Sequence, residues 1–167
     1  MSDDFRVRPL SDDEVRAIAT KARAYLGVAD SKRVDILACL NQPLIWTVRG
    51  KRQLNFQIRS DAEMGADDGS TIFAKDVVTI ALKKSVADEA AVGVGRARNT
   101  CAHELGHATL AHMFEYHGVG LPRRTVGNVT PKWIPAFQSA EHQAKVFAPA
   151  LLVNDAIAEW QCGAFGL

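Results

Sequence analysis

The chain lacks a surplus of charge of either sign. Its 167 residues contain 20 lysines and arginines against 19 aspartates and glutamates, so the formal net charge at pH 7 is +1. Proteins that hold nucleic acid through its phosphates carry a strongly basic surface, and this balance provides none. We therefore expect no direct contact with nucleic acid and a partner that is selected by a defined site.

Long hydrophobic runs are absent as well. No apolar stretch approaches the roughly 18 residues that cross a bilayer, and the first four residues are acidic rather than basic, unlike the start of a signal peptide. The sequence thus predicts no membrane segment and a cytoplasmic protein. The length and the 47% hydrophobic content fit one globular domain, which we place at 1–167.

Cysteine is scarce. The three cysteines, Cys39, Cys101 and Cys162, are odd in number, widely spaced and form no CxxC pair. This pattern indicates neither a disulfide framework nor a zinc ribbon. We expect all three to be buried free thiols.

The start of the chain predicts two helices. Ser11 opens a capping box, and apolar residues follow at helical spacing to about Leu26. Asp30 or Ser31 can cap a second, shorter helix that Asn41 ends. The first helix is therefore amphipathic, and the second is brief.

The pattern then changes to that of strands. Residues 44–48 and 54–58 are β-branched or aromatic runs separated by the Gly50-Lys51 turn, which predicts a hairpin. Residues 71–73 and 77–82 predict further strands. The last run is almost continuously apolar, so we expect it at the centre of a small, largely antiparallel sheet.

Helical patterning returns in the second half of the chain. It is firm from about residue 96 to residue 113, and glycines and prolines then punctuate a loop over 114–138. A last helix is capped near Ser139. Pro149 lies inside its pattern, which predicts a kink or a restart there.

An HExxH motif, His103 to His107, lies inside the first of these helices. A step of four residues turns a helix by about 400°, so both imidazoles share nearly one face and can bind one metal ion. A catalytic zinc uses three protein ligands and leaves the fourth position to water. Glu104 could take the proton of that water and pass it to a leaving amine, which predicts zinc-dependent peptide hydrolysis.

The third ligand is not given by the motif itself. The long form HExxHxxGxxH fails, because Leu110 and Met113 stand where its glycine and last histidine would be. The downstream candidates are His112, Glu115, His117, Glu141, His142 and Glu159. The first three are on the same helix or at its end and are poorly placed to complete a tetrahedron. Glu141 and His142 lie at the start of a second helix. If that helix packs against the first, it could present a ligand to the metal.

Two segments resemble one family. Residues 96–107, RARNTCAHELGH, are similar to the R-x-R-F-T-x-A-H-E-x-G-H segment of the ImmA/IrrE metallo-endopeptidases. Residues 141–154, EHQAKVFAPALLVN, resemble that family's E-x-x-A-N-x-F-A-x-x-L-L-M-P helix, whose leading glutamate is the third zinc ligand. The departures from the family pattern remove neither a ligand nor the base. They are Asn99, Cys101, Lys145, Pro149 and Asn154.

The resemblance implies His103, His107 and Glu141 as zinc ligands and Glu104 as the general base. It also implies a minimal zincin-like α+β domain: two N-terminal helices, a small mostly antiparallel sheet, the HExxH helix and a downstream glutamate-bearing helix. Family members cleave or antagonise DNA-binding repressors in mobile-element or stress-response control. The implied partner is therefore a protein substrate, a helix-turn-helix repressor.

Four residues are candidates for stabilising the oxyanion that forms when water attacks a peptide carbonyl: His112, Tyr116, His117 and His142. His142 is preferred because it adjoins Glu141. One alternative to an enzyme is a non-proteolytic zinc-bearing module that sequesters a regulator or pairs with a toxin–antitoxin component. In a second alternative to an enzyme, the zinc only stabilises the fold and has a fourth protein ligand, such as His112 or His142. Retention of Glu104 favours the enzyme, since a structural zinc needs no base.

Overall fold

The computed structural model describes residues 4–115 and 134–153. Over these ranges the fold is mixed α/β, with six α-helices and one four-stranded sheet. The helices are α1 (Asp12–Tyr25), α2 (Ile36–Leu40), α3 (Asp61–Met64), α4 (Lys84–Ala91), α5 (Gly95–Thr109) and α6 (Ala140–Leu152). The strands are β1 (Leu44–Thr47), β2 (Gly50–Arg59), β3 (Gly69–Ala74) and β4 (Val77–Lys83). No helix in the described part of the chain is long and apolar enough to cross a membrane.

The capping box of α1 is confirmed, but the predicted cap of α2 is wrong. The Ser11 side chain accepts from the backbone N–H of Glu14, whose carboxylate accepts from the Ser11 N–H. Helix α2 is capped by Asp35 rather than by Asp30 or Ser31. The buried guanidinium of Arg23 donates to the Ser31 carbonyl oxygen at 2.8 Å, which holds this segment in a non-helical turn.

The sheet has the strand order β1-β2-β4-β3. Thr47 pairs with Gly50, so the hairpin turn lies at residues 48–49 and not at the predicted Gly50-Lys51. Strand β4 is central, as its apolar sequence predicts. The pairings β1–β2 and β3–β4 are antiparallel, but β2 and β4 run parallel, so the sheet is mixed. The chain crosses over through α3 and β3 before β4 returns beside β2, and the parallel pairing follows from that crossover.

Helix α5 is the centre of the packing. It contacts α6, β3 and α4, and α6 packs in turn on α1. Cys39 and Cys101 are buried free thiols, as predicted, and burial raises the pKa of Cys101 to about 12. Cys162 lies outside the described residues.

Helix α6 determines where the second motif lies. It begins after Ser139, as predicted, and runs without a break through Pro149 to Leu152, so the helix does not restart at the proline. The side chain of Arg23 donates to the carbonyl oxygen of Leu151, which anchors the last turn. Most of the loop predicted at 114–138 falls outside the described residues, although 136–138 form a short 3-10 helix.

Candidate metal centre

Two helices bring together the two imidazoles of the HExxH motif and one carboxylate. His103 and His107 are one turn apart on α5, and their Nε2 atoms are 3.2 Å from each other. Glu141, in the first turn of α6, faces both rings. One carboxylate oxygen lies 3.1 Å from Nε2 of His103, and the other lies 3.0 Å from Nε2 of His107.

The spacing of this triad fits a tetrahedral metal ion. Zinc bonds of 2.0–2.1 Å at tetrahedral angles require ligand atoms about 3.3 Å apart. The two Nε2 atoms are 3.2 Å apart, and each lies 3.0–3.1 Å from a different oxygen of Glu141. Two imidazole nitrogens and a carboxylate oxygen are a donor set that zinc accepts. Among the described residues, His103, His107 and Glu141 are the group of ligand-type side chains that could hold a metal ion.

The electrostatics of the triad favour a cation. Burial acts to lower the pKa of His107, but its hydrogen bond to Glu141 and the charges of Glu104 and Glu141 outweigh burial and raise that pKa above its usual value. The carboxylates thus stabilise positive charge on this face of α5. The same field would favour a bound metal ion.

Gly106 of the motif lets α6 approach α5 closely. A Cβ atom at this position would lie 2.9 Å from Cδ1 of Phe147, which is fully buried on α6. A methyl group would therefore push the two metal-bearing helices apart. The group that approaches Gly106 is thus an aromatic side chain of α6. The glycine alone would also be compatible with contact to a strand or to a substrate.

Glu104 lies beside the triad and points to the sheet. Its side chain is almost fully buried, and one carboxylate oxygen accepts a 2.7 Å hydrogen bond from the Thr71 hydroxyl on β3. Gly69, at the start of β3, makes room for it, because a Cβ atom there would lie 2.7 Å from Cγ of Glu104. The predicted base is thus held by α5 on one side and by β3 on the other.

The start of α6 is fixed by the N-terminal segment. The carboxylate of Asp4 accepts from the Ser139 hydroxyl at 2.6 Å and from the backbone N–H of Glu141 at 3.1 Å. The Ser139 oxygen in turn accepts from the N–H of His142, as a helix cap does. Asp4 and Ser139 together set the position of the turn that carries the third ligand-type residue.

His112 lies behind His107 instead of in front of the triad. Its Nδ1 atom is 2.8 Å from Nδ1 of His107, and its Nε2 atom is 2.9 Å from the amide oxygen of Gln143. The ring is fully buried, and burial lowers its pKa to about 3, so the imidazole is neutral. This position does not suit the oxyanion-stabilising role suggested by the sequence.

The structure does not bring His142, the preferred oxyanion candidate, to the triad. His142 points along α6 to Asp12 of α1, with Nε2 2.9 Å from the carboxylate. Tyr116 and His117 lie outside the described residues, as does Glu159 among the ligand candidates. The side chain of His142 therefore links α6 to α1 through its contact with Asp12.

Several contributors to the site carry no signal in the sequence. Thr71, Gly69 and Asp4 are distant from both motifs along the chain, and no spacing rule connects them to the motifs. Only the folding of β3 and of the N-terminal segment against the two helices brings them to the triad.

Comparison with known proteins identifies no relative. No protein-family model, curated protein or solved structure matches the chain. Membership of the ImmA/IrrE family therefore stays a prediction from the two motifs. The function must be argued from the triad and its surroundings.

Proposed function

We propose that this chain is a zinc-dependent endopeptidase with a minimal zincin-like arrangement, acting in the cytoplasm on a protein regulator. The observation that carries the proposal is the convergence of His103, His107 and Glu141 within 4.8 Å. Glu104 follows His103 on α5, and its charge helps to raise the pKa of His107, but it does not belong to the triad. A metal site with a spare, buried carboxylate beside it is the arrangement that hydrolysis of a peptide bond needs.

Each residue has a distinct task in this mechanism. Zinc, when held by the triad, supplies Lewis-acid polarisation of the scissile carbonyl. Glu104 accepts a proton from the attacking water at its carboxylate and delivers it to the leaving amine. The hydroxyl of Thr71 holds that carboxylate in place through its 2.7 Å hydrogen bond.

The edge of the sheet supports a peptide as the substrate. Strand β3 pairs only with β4 among the described residues, so its other edge has no strand partner there. Thr71, on that strand, touches Glu104. An extended peptide that added itself to β3 as a further strand would lie next to the base. The family resemblance narrows the peptide to a helix-turn-helix repressor in mobile-element or stress-response control.

A purely structural zinc is disfavoured by the surroundings of the triad. Such sites normally have four protein ligands. The two residues suggested for a fourth ligand have other partners. His112 lies within hydrogen-bond distance of Nδ1 of His107, the ring nitrogen that faces away from the triad, and His142 lies within hydrogen-bond distance of the Asp12 carboxylate. In the described part of the chain, three ligand-type residues therefore form the site.

The proposal is tested by cleavage of a defined protein. The zinc-loaded chain is incubated with the DNA-binding regulator encoded nearest to its gene, and the products are identified by mass spectrometry. Glu104→Gln removes the base and keeps its shape, and Glu89→Gln, at an exposed position of α4, is the matched control. We expect cleavage by the wild type and by Glu89→Gln only.

Two other outcomes contradict the proposal in different ways. Cleavage that survives Glu104→Gln would refute the mechanism. Zinc bound in equal amount by wild type and Glu104→Gln, with a stable complex and no cleavage by either, would favour the sequestering module or a toxin–antitoxin partnership.

A further inference from the structure

A buried polar chain extends from His107 away from the triad. We call it the relay: His107, His112 and Gln143, ending on the backbone carbonyl groups of Arg8 and Phe137. We propose that His112 and Gln143 are positioning residues that fix the tautomer of His107, so that its Nε2 lone pair faces the metal. The inference deepens the proposed function, since it relies on His107 as a metal ligand.

The direction of the relay is set at Gln143. Its Nε2 atom lies 2.9 Å from the carbonyl oxygen of Arg8 and 2.9 Å from that of Phe137. Carbonyl oxygens only accept, so each contact uses one of the two amide protons. The orientation of the amide is thereby fixed, and its oxygen must be the atom that lies 2.9 Å from Nε2 of His112.

The proton positions follow in order from that amide. An amide oxygen cannot donate, so Nε2 of His112 carries the proton of this neutral ring and Nδ1 carries a lone pair. Nδ1 of His107, 2.8 Å away, must therefore be the donor in their contact. A neutral His107 with its proton on Nδ1 has its lone pair on Nε2, the atom that faces His103 and Glu141.

Burial makes the direction hard to reverse. The side chains of His112 and Gln143 are each only 1% exposed, so water cannot replace a lost partner. If the donor and acceptor of one hydrogen bond in the relay were exchanged, two donors or two acceptors would face each other in the core. The free-energy cost of such a buried mismatch exceeds the net gain of one hydrogen bond. The relay thus keeps a proton on Nδ1 of His107, so that Nε2 is the atom left to bind a metal, and such outer-shell partners typically change metal affinity about 10- to 100-fold.

The first test reads the tautomers directly. Long-range ¹H–¹⁵N correlation spectra of the ¹⁵N-labelled chain, recorded metal-free and zinc-loaded, show which ring nitrogen of each histidine carries a proton. We expect His112 to be protonated on Nε2 in both samples and His107 on Nδ1 in the zinc-loaded one. Protonation of His112 on Nδ1 with a bare Nε2 would overturn the inference.

The second test separates positioning from packing. His112→Leu fills the space without an acceptor, whereas His112→Asn can place its amide oxygen near the position of Nδ1. We expect the zinc dissociation constant to rise about 10- to 100-fold in His112→Leu and to return to within a few-fold of wild type in His112→Asn. Equal losses in both variants, or no loss in His112→Leu, would overturn the inference.

These measurements distinguish this inference from the proposed function. The tautomer of His112 is measurable in the metal-free wild type, whether or not the variants fold. A wild type with the expected tautomer that binds no zinc would refute the proposed function alone. A wild type that binds zinc and cleaves protein, with the opposite tautomer, would refute only the relay.

Discussion

The hydroxyl oxygen of Thr71 lies 2.7 Å from a carboxylate oxygen of Glu104 and 3.0 Å from the backbone carbonyl oxygen of the same residue. Thr71 belongs to the edge strand β3, where it pairs with Ile80 of the inner strand β4. The proposed base is therefore positioned by the sheet as well as by its own helix. A substitution on β3 should affect hydrolysis without touching the metal ligands.

Replacing Thr71 with valine removes the donor and keeps the shape of the side chain. A hydrogen bond to a charged group is worth about 1.5–3 kcal/mol, so a tenfold or greater fall in kcat follows if most of that energy holds the base in position. The zinc affinity should not change. Thr71→Ser keeps the hydroxyl and should restore most of the rate in a steady-state assay. A Thr71→Val variant with wild-type kcat would contradict this role.

Alanine at Gly69 should displace the base. The added methyl group would lie 2.7 Å from Cγ of Glu104, a distance that forces the side chain to move. We expect cleavage to fall and zinc stoichiometry to be retained. Gly95→Ala is the control, because a Cβ atom there meets nothing within 4 Å and alanine favours the helix. Equal activity in the two variants would show that Glu104 does not need the space at Gly69.

Removing the carboxylate of Asp4 should loosen the start of α6. Asp4→Ala deletes the acceptor of the Ser139 hydroxyl and of the Glu141 N–H, and loss of such capping interactions costs about 0.5–2 kcal/mol. The free energy of unfolding, from urea denaturation, should fall by that amount. Zinc affinity should fall as well, since Glu141 lies in the same turn. Asp13→Ala, which removes an exposed carboxylate of α1, should leave zinc affinity unchanged.

His112 should make the metal-free protein less stable in acid. Burial lowers its pKa from 6.5 to about 3, so between these values the unfolded chain takes up a proton that the folded chain refuses. Its contribution to stability is complete above about pH 6.5 and is lost as the pH falls toward 3. His107 has the opposite shift, and its contribution is present below pH 6.5 and lost as the pH rises through its raised pKa.

The acid effect is measured by urea unfolding of the metal-free wild type and His112→Asn. Between about pH 6.5 and pH 4, the stability of the wild type should fall more steeply, by up to one proton or about 1.4 kcal/mol per pH unit. Parallel curves would show that His112 is not held neutral in the fold.

The local part of the site could be predicted, because helix geometry alone places His103 and His107 on one face of α5. The position of Glu141 depended on a second motif at the start of another helix. The side of α5 on which His112 lies could not be predicted. Ala111 adopts a positive φ of 54°, and the chain then turns into a 3-10 helix that returns His112 beneath His107.

The sheet shows the same division between local and distant signals. The β-branched and aromatic runs of β1 and β2 and the apolar sequence of β4 predicted the strands, and the same apolar sequence predicted the central place of β4. The parallel pairing of β2 with β4 was missed, because hydrophobic patterning does not record strand direction. The contacts of β3 with Glu104 depend on that topology, and so Thr71 and Gly69 could not be found from the sequence.

The central claim is that His103, His107 and Glu141 together hold one zinc ion. The most direct test titrates metal-free protein with zinc against a competing chelator and compares the wild type with Glu141→Gln, which keeps the side-chain shape and removes the charge. We predict one zinc per wild-type chain and an affinity lowered more than about 100-fold in Glu141→Gln, beyond what the loss of an outer-shell partner causes. A wild type that binds no zinc, or equal affinity in the two proteins, would contradict the account.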